Sequence, residues 1–213
     1  MGKKGELVQS VLDILQTLVK IERVQDSISP EAEAAMRRDF ETGNYVQCIK
    51  RIRANFNMRV PLKAEYVGDG KLPLPGRPVG SPAVVYLPAY MPLFGTEQFN
   101  SLLITMRINR LLLTTRYELF VTAVAHELSH VLLYGLHHPL CESEVATDLL
   151  PMLFGFAEIR RRIYDWDAVD RLGYLKRSQF KAAYHWVRAC QPRTPPEQRA
   201  ESLKKLIRYQ NEE

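Results

Sequence analysis

The chain has few cysteines and no long apolar run, and these absences exclude several protein classes. Its 213 residues contain 3 cysteines, Cys48, Cys141 and Cys190, which are far apart and odd in number. This usage argues against a disulfide framework and favours a reducing compartment. No uninterrupted apolar stretch reaches the roughly 18 residues of a membrane span, and the first residues lack the apolar core of a signal peptide. We therefore expect a cytoplasmic protein without a membrane partner.

Charge of one sign is not in large excess either. The chain has 29 lysines and arginines against 24 aspartates and glutamates, which gives a formal net charge of +5. This balance permits an acidic partner but does not require nucleic acid. Because the sequence also shows no internal repeat and no helix-turn-helix signature, we do not expect nucleic-acid binding. With 46% hydrophobic residues, the chain can bury a substantial core.

Histidine is scarce, yet two of the 5 histidines belong to one short motif, H-E-x-x-H, which begins at His126. The residues from Leu119 to Leu133 are almost wholly apolar apart from this motif. Thr115 and Glu118 have the spacing of a capping box, and Gly135 offers a helix stop. The segment therefore predicts a buried helix that carries two histidines and a glutamate.

The spacing of this motif suits a metal site. His126 and His130 are one helical turn apart, so both imidazoles leave the same face of the helix. Two imidazoles can occupy two corners of a tetrahedral zinc site, and Glu127 is then placed to act as general base toward a water that the metal activates. The alternative is a pair of hydrogen-bonded core histidines with an accidental glutamate.

A third ligand has to come from another part of the chain. Glu144 and Asp148 lie one turn apart on a second predicted helix. One carboxylate can bind the metal while the other accepts the outer ring N–H of a liganding histidine. Glu142 and Glu144 can instead be a solvated helix start that the helix dipole favours. Glu142, His137 and His138 remain alternatives to Glu144 as the third ligand.

The rest of the chain predicts an α+β fold that is mostly helical, with a small β-sheet packed against the motif helix. An edge strand just before that helix can hold an extended peptide by backbone pairing, although an ordinary internal strand is equally compatible. We expect an N-terminal helical region at 1–60, a Pro/Gly-rich loop or linker at 61–82 and a catalytic region with C-terminal helices at 83–213. Helices are predicted at 6–24, 30–41, 45–57, 152–166, 175–190 and 195–209, and strands at 83–87 and 101–109.

The run from the first of these strands to Asp148 resembles the gluzincin metallopeptidases. Their pattern is H-E-x-x-H followed by a glutamate on a downstream helix. Within that class the run is similar to the ImmA/IrrE-type branch, through Arg116 and Tyr117 before VTAVAHELSHVLL and through the block ESEVATDLLP. The gap from His130 to Glu144 is shorter than in that branch, so the chain matches the class more closely than the branch.

The resemblance implies a zincin-like fold around Zn²⁺ held by His126, His130 and Glu144, with Asp148 as the group that orients a histidine. Members of the branch are zinc peptidases, and the best-known ones cleave a transcriptional repressor. The function we expect is therefore a zinc-dependent endopeptidase that acts on a specific protein or peptide substrate, a regulatory protein being one candidate. The alternative is a non-catalytic metal-binding regulatory protein that acts through protein–protein contacts or, less favoured, through nucleic acid.

The group that stabilises the oxyanion is not evident from the sequence. Tyr184 and His185 lie on a C-terminal helix and are candidates, but each also fits a core or surface position. We assign neither of them, and the pattern also leaves the oligomeric state open.

Overall fold

The computed structural model describes residues 3–68, 82–164 and 173–211. The chain divides into two compact units, Ser29–Glu142 and a unit made of Met1–Ile28 and Ser143–Glu213. These elements confirm the predicted α+β class, mostly helical with a small sheet. In chain order they are α1 (Lys3–Leu18), α2 (Pro30–Glu41), α3 (Tyr45–Asn55), β1 (Leu62–Val67), β2 (Ala83–Tyr86), α4 (Glu97–Ser101), β3 (Ile104–Asn109), a 3-10 helix (Arg110–Thr114), α5 (Tyr117–Gly135), α6 (Glu144–Pro151), a π-helical stretch (Met152–Phe156), α7 (Ala157–Tyr164), α8 (Arg177–Cys190) and α9 (Pro196–Asn211).

The sheet belongs to the unit Ser29–Glu142 and has the strand order β1-β3-β2. β1 runs parallel to β3 with Leu62 opposite Ile104, and β2 runs antiparallel to β3 with Ala83 opposite Ile108. Ile104, Met106 and Ile108 alternate along β3 and are all buried, as expected for one face of a strand that covers a core. α5 packs against β2 and α3, and α2 also contacts α5.

The strand β1 lies in the segment 61–82, for which the sequence predicts a loop or linker. Leu62–Val67 is instead a regular parallel strand of the sheet. The glycine and proline that suggested a loop begin only at Gly68, and the residues before it alternate between apolar and charged side chains. The remainder of the predicted loop, 69–81, lies outside the described residues.

The second unit is helical, and its first element is the amphipathic helix α1. Its buried residues recur at helical spacing, and the helix packs on α6, α8 and α9. The predicted N-terminal helical region 1–60 is therefore divided: α1 belongs with the C-terminal helices, whereas α2 and α3 belong with the sheet. The buried stripe of α1 consists of Val8, Val11, Leu12, Leu15 and Leu18.

A break at Gly155 separates α6 from α7. Gly155 has a φ of +88°, which a side-chain-bearing residue adopts only with strain, and a Cβ there would lie 2.7 Å from the carbonyl oxygen of Asp26. The segment after α1 closes on this break, because Gln25 N–H donates to Leu153 O at 2.8 Å and Ile28 N–H donates to Gly155 O at 3.3 Å. The glycine thus allows two backbone segments to approach each other.

Candidate metal centre

The helix α5 carries the H-E-x-x-H motif, and nearly all of its 19 residues are buried. A helix that is apolar on most sides belongs in the interior of a protein. Its buried Ser129 is satisfied locally, since its hydroxyl donates to Ala125 O at 2.9 Å. The prediction of a buried motif helix is confirmed.

The predicted capping box at the start of α5 is wrong. The N-cap residue is Arg116, and the Thr115 hydroxyl donates to Leu112 O at 2.7 Å in the preceding 3-10 helix. The Glu118 carboxylate is bound instead by Arg37 of α2, with 2.8 Å between Nη2 and Oε1. Burial by itself raises the pKa of Glu118, but the hydrogen bond from Arg37 and the nearby Arg116 outweigh it and hold the pKa below its ordinary value.

The end of α5 shows why a glycine stands at position 135. The helix ends there as predicted, but Gly135 is needed for packing: a Cβ would lie 2.6 Å from the ring of Phe99, and Phe94 N–H donates to Gly135 O. The residue that adopts a left-handed backbone conformation after the helix is His137, whose φ is +49°, and not the glycine. Backbone bonds from His137 and His138 to carbonyl groups of the last turn close a Schellman-type end.

His137 and His138, the two alternative histidine ligands, have other partners. His137 Nε2 lies 2.7 Å from Met91 O, and its ring packs edge-on against Tyr90. His138 Nδ1 accepts a hydrogen bond from Leu140 N–H at 3.1 Å, and burial lowers the pKa of His138. Both side chains therefore contribute to the turn that follows α5.

His126 and His130 leave the same face of α5. Their ring centroids are 5.1 Å apart with an interplanar angle of 76°. His130 is buried, whereas His126 is partly exposed. Two imidazoles in this arrangement can contribute one nitrogen each to a single ion.

Glu127 of the motif is buried and points to the edge strand β2. Its Oε2 accepts a hydrogen bond of 2.8 Å from the backbone N–H of Val85. The strand directly before α5 in the sequence, β3, is internal, so the edge-strand interpretation does not hold for β3. β2 is the edge strand that meets the motif helix, and its Val85 positions the predicted general base.

Glu144 is the first residue of α6. The preceding Ser143 caps the helix, since its hydroxyl oxygen accepts from Ala146 N–H at 3.2 Å. Thr147 donates to Glu144 O at 2.8 Å. Glu142 precedes the cap and is not part of the helix.

Within the described ranges, one group of side chains could hold a metal ion: His126, His130 and Glu144. Each offers one ligand atom, and the three atoms lie within 4.8 Å of one another. Imidazole nitrogens and a carboxylate oxygen are common zinc ligands, which bind at about 2.0–2.2 Å, so two donors of one tetrahedral ion lie roughly 3.4 Å apart. The chemistry of the donor set, two imidazoles and one carboxylate, therefore fits zinc.

Asp148, the predicted orienting group, is part of a buried ion pair that the sequence did not reveal. Its Oδ1 lies 3.0 Å from Nη2 of Arg160, and Nη1 of Arg160 donates to the Asp148 carbonyl at 2.8 Å. Both side chains are almost fully buried. No sequence pattern marks this pair, because the two residues are twelve positions apart on different helices. The role of Asp148 toward a histidine stays a prediction.

The same carboxylate holds the segment just before α8. Oδ2 of Asp148 accepts hydrogen bonds from the backbone N–H groups of Tyr174 and Leu175. Gly173 allows this approach, since its φ is +98° and a Cβ there would lie 2.7 Å from both Arg160 and Asp148. Asp148 therefore connects α6, α7 and the segment before α8.

The two candidate oxyanion groups have roles within the helical unit. Tyr184 donates to Oε1 of Glu158 at 2.6 Å, and burial, with that carboxylate, raises the pKa of Tyr184. His185 stacks on Tyr209 with 5.9 Å between ring centroids, and burial lowers its pKa to about 4. These contacts do not assign either residue to catalysis.

Comparison of the chain with protein-family models, with curated proteins and with solved structures finds no match. The donor set and its surroundings are thus the basis for a functional proposal. Across the described residues, no helix combines the length and the apolar character that crossing a membrane requires.

Proposed function

We propose that this protein is a zinc-dependent endopeptidase of the gluzincin type, which hydrolyses a peptide bond in a specific protein substrate. His126, His130 and Glu144 hold the zinc, and Glu127 is the general base. The observation that carries this proposal is that three possible zinc-ligand atoms lie within 4.8 Å of one another. Two of them belong to α5, the helix that also carries the buried Glu127. We also propose a zincin-like arrangement, a cytoplasmic location and kinship with the ImmA/IrrE-type branch.

Glu127 performs the proton transfers in this proposal. Zinc, when bound, supplies the Lewis acidity that lowers the pKa of water to about 7 and polarises the substrate carbonyl. Glu127 accepts a proton from the attacking water and later donates it to the leaving amine. The hydrogen bond from Val85 fixes the carboxylate in one orientation, so less of its freedom is lost during the reaction.

The edge strand β2 provides a place for the substrate backbone. β2 is bonded to β3 on one side only in the described sheet, and its Val85 touches Glu127. An extended peptide that pairs with such an edge by backbone hydrogen bonds lies beside the general base. Asp148 is proposed to orient a liganding histidine in addition to its ion pair with Arg160.

The alternative is a metal-binding regulatory protein without hydrolytic activity, acting through protein–protein contacts. The bond between Val85 and Glu127 supports it, because it gives the glutamate a structural role that needs no catalysis. The two proposals agree on the metal and disagree on the chemistry of Glu127.

The experiment compares wild type with Glu127→Gln and with the control Glu142→Gln. Glutamine keeps an oxygen for Val85 N–H but cannot act as a base, so the variant tests proton transfer without disturbing the strand. Each zinc-loaded protein is incubated with a proteome-derived peptide library, and new termini are identified by mass spectrometry. We expect discrete cleavages by wild type and Glu142→Gln, and loss of roughly a hundredfold or more for Glu127→Gln with zinc retained. Zinc in all three proteins with no cleavage by any of them favours the regulatory alternative.

A further inference from the structure

A second candidate site lies in the unit Ser29–Glu142, in a cavity of about 240 Å³ between α3 and the start of β1. Ile49, Leu62 and Met106 are among the apolar residues that line it. Val46 of α3 also lines it and is 49% exposed. The cavity thus offers an apolar surface that solvent can reach.

The cavity is also lined by three cations, Lys50, Arg53 and Arg59. None of the three has a carboxylate within ion-pair distance among residues 3–68, 82–164 and 173–211. Arg51, the neighbour of Lys50 on the same helix, does have one, since it pairs with Asp39 at 2.6 Å. Positive charge therefore collects at the cavity with no paired carboxylate in the described ranges, and the surface complements an anion.

Arg53 is held in place in the cavity wall. Its Nη1 donates to Val60 O at 2.7 Å. Its Nε is buried and has no hydrogen-bond partner in the described part of the chain. Because Nη1 is fixed in this way, the partly exposed guanidinium can bind a carboxylate through its other donors with little loss of side-chain entropy.

The size of the cavity limits what it can hold. Small-molecule and cofactor sites usually enclose about 300–1,000 Å³, and this cavity is smaller. It suits one large apolar side chain better than a whole cofactor. Leu62, which lines it, lies on β1, and β1 pairs only with β3 in the described sheet, so backbone next to the cavity is open to an extended segment.

We propose that this cavity is a docking site for a segment of a partner protein that carries one large apolar side chain next to acidic residues. The apolar side chain enters between α3 and β1, and the acidic residues pair with Lys50, Arg53 and Arg59. The proposal does not depend on the metal centre, because every residue it uses lies outside the motif helix and α6.

The test selects binders from a displayed library of short peptides, with the full chain carrying Glu127→Gln so that peptides stay intact. We expect enriched peptides that combine Phe, Leu, Met or Trp with Asp or Glu within two positions. Their affinity should fall about tenfold in the double variant Lys50→Ala, Arg59→Ala, whose exposed side chains tolerate truncation. The adjacent control Arg51→Ala should bind as before.

Charge reversal gives a second readout. The double variant Lys50→Glu, Arg59→Glu should lose the acidic peptides and select basic ones. Failure to enrich any peptide, enrichment without acidic residues, or equal binding by all variants would each overturn the proposal. Displacement of the peptides by a mixed-sequence single-stranded oligonucleotide at equal concentration would also overturn it in favour of nucleic acid. The His126→Ala variant should select the same peptides, so failure of the metal proposal leaves this result unchanged.

Discussion

The backbone N–H of Val85 donates a hydrogen bond of 2.8 Å to Oε2 of Glu127. This bond joins the edge strand β2 to the centre of the H-E-x-x-H motif. The glutamate is 3% exposed and Val85 is 7% exposed, so neither partner can readily exchange the bond for water. The residue proposed as general base is therefore also a structural contact of the sheet.

Substitutions of Glu127 should separate these two roles. Glu127→Ala leaves a buried N–H without a partner, which costs about 1–3 kcal/mol in the free energy of unfolding. Glu127→Gln retains an acceptor oxygen and should cost clearly less. Urea unfolding of metal-free proteins measures both values. Equal stability of the alanine variant and wild type would mean that the bond to Val85 contributes nothing.

Removing Arg160 should strongly destabilise the helical unit. The change Arg160→Met leaves the Asp148 carboxylate buried without its cation, and breaking such a pair costs about 3–5 kcal/mol. Because the cost comes from the stranded charge, adding Asp148→Asn should recover part of it. Denaturant unfolding of the two single variants and the double variant measures these free energies. If the losses of the single variants simply add up in the double variant, the two residues are not a coupled pair.

Two glycines with positive φ offer a matched comparison. Gly155→Ala should be destabilising by more than Gly43→Ala, although φ is +88° at the first and +76° at the second. A Cβ at Gly155 meets Asp26 O at 2.7 Å, whereas nothing lies within 4 Å at Gly43. Gly43→Ala should therefore show only the conformational cost of about 1 kcal/mol, and Gly155→Ala clearly more. Similar thermal denaturation of both variants would argue against the close approach.

His185 should make stability depend on pH below neutrality. Burial is the main cause that lowers its folded pKa from 6.5 to about 4; Lys205 also lowers the pKa, Glu201 raises it by less than burial lowers it, and Lys181 adds a still smaller lowering effect. As the pH drops, His185 is protonated in the unfolded state before it is protonated in the folded state. The free energy of unfolding therefore falls between pH 6.5 and about pH 4 and levels off below that. Relative to His185→Phe, which can still stack on Tyr209, wild type should lose about 1 kcal/mol between pH 7 and pH 5, because solvent screening at this half-buried ring reduces the effect of the shift. Chelator-treated proteins are compared by urea unfolding, and parallel pH profiles would refute this assignment.

The sequence predicted the parts of this molecule that depend on local pattern. The helix α2 is an example, because Ser29 caps it and Pro30 begins it as expected. The buried helix around His126 is another, since its apolar composition requires an interior position. The strand β1 was missed because its six residues lead directly into a Gly/Pro-rich run, whose composition predicts a loop for the whole segment 61–82.

Long-range pairing was not predictable from such patterns. The carboxylate of Glu118 was expected to cap its own helix, yet it binds Arg37, which is 81 residues away in the sequence. Asp148 likewise meets Arg160 and the backbone near Gly173 through tertiary packing alone. The spacing of His126 and His130 was readable because a helix fixes it, whereas the choice of Glu144 over Glu142 rested on resemblance.

The most direct test of the proposed centre is the zinc content of the purified chain and its variants. Elemental analysis should find about one zinc per chain in wild type, and in the controls Glu142→Ala and His138→Ala. His126→Ala and His130→Ala should contain almost none, and Glu144→Ala should lose most of its zinc under mild chelation that wild type withstands. Wild type without zinc after reconstitution, or a Glu144→Ala variant that holds zinc as tightly as Glu142→Ala, would contradict the proposed centre.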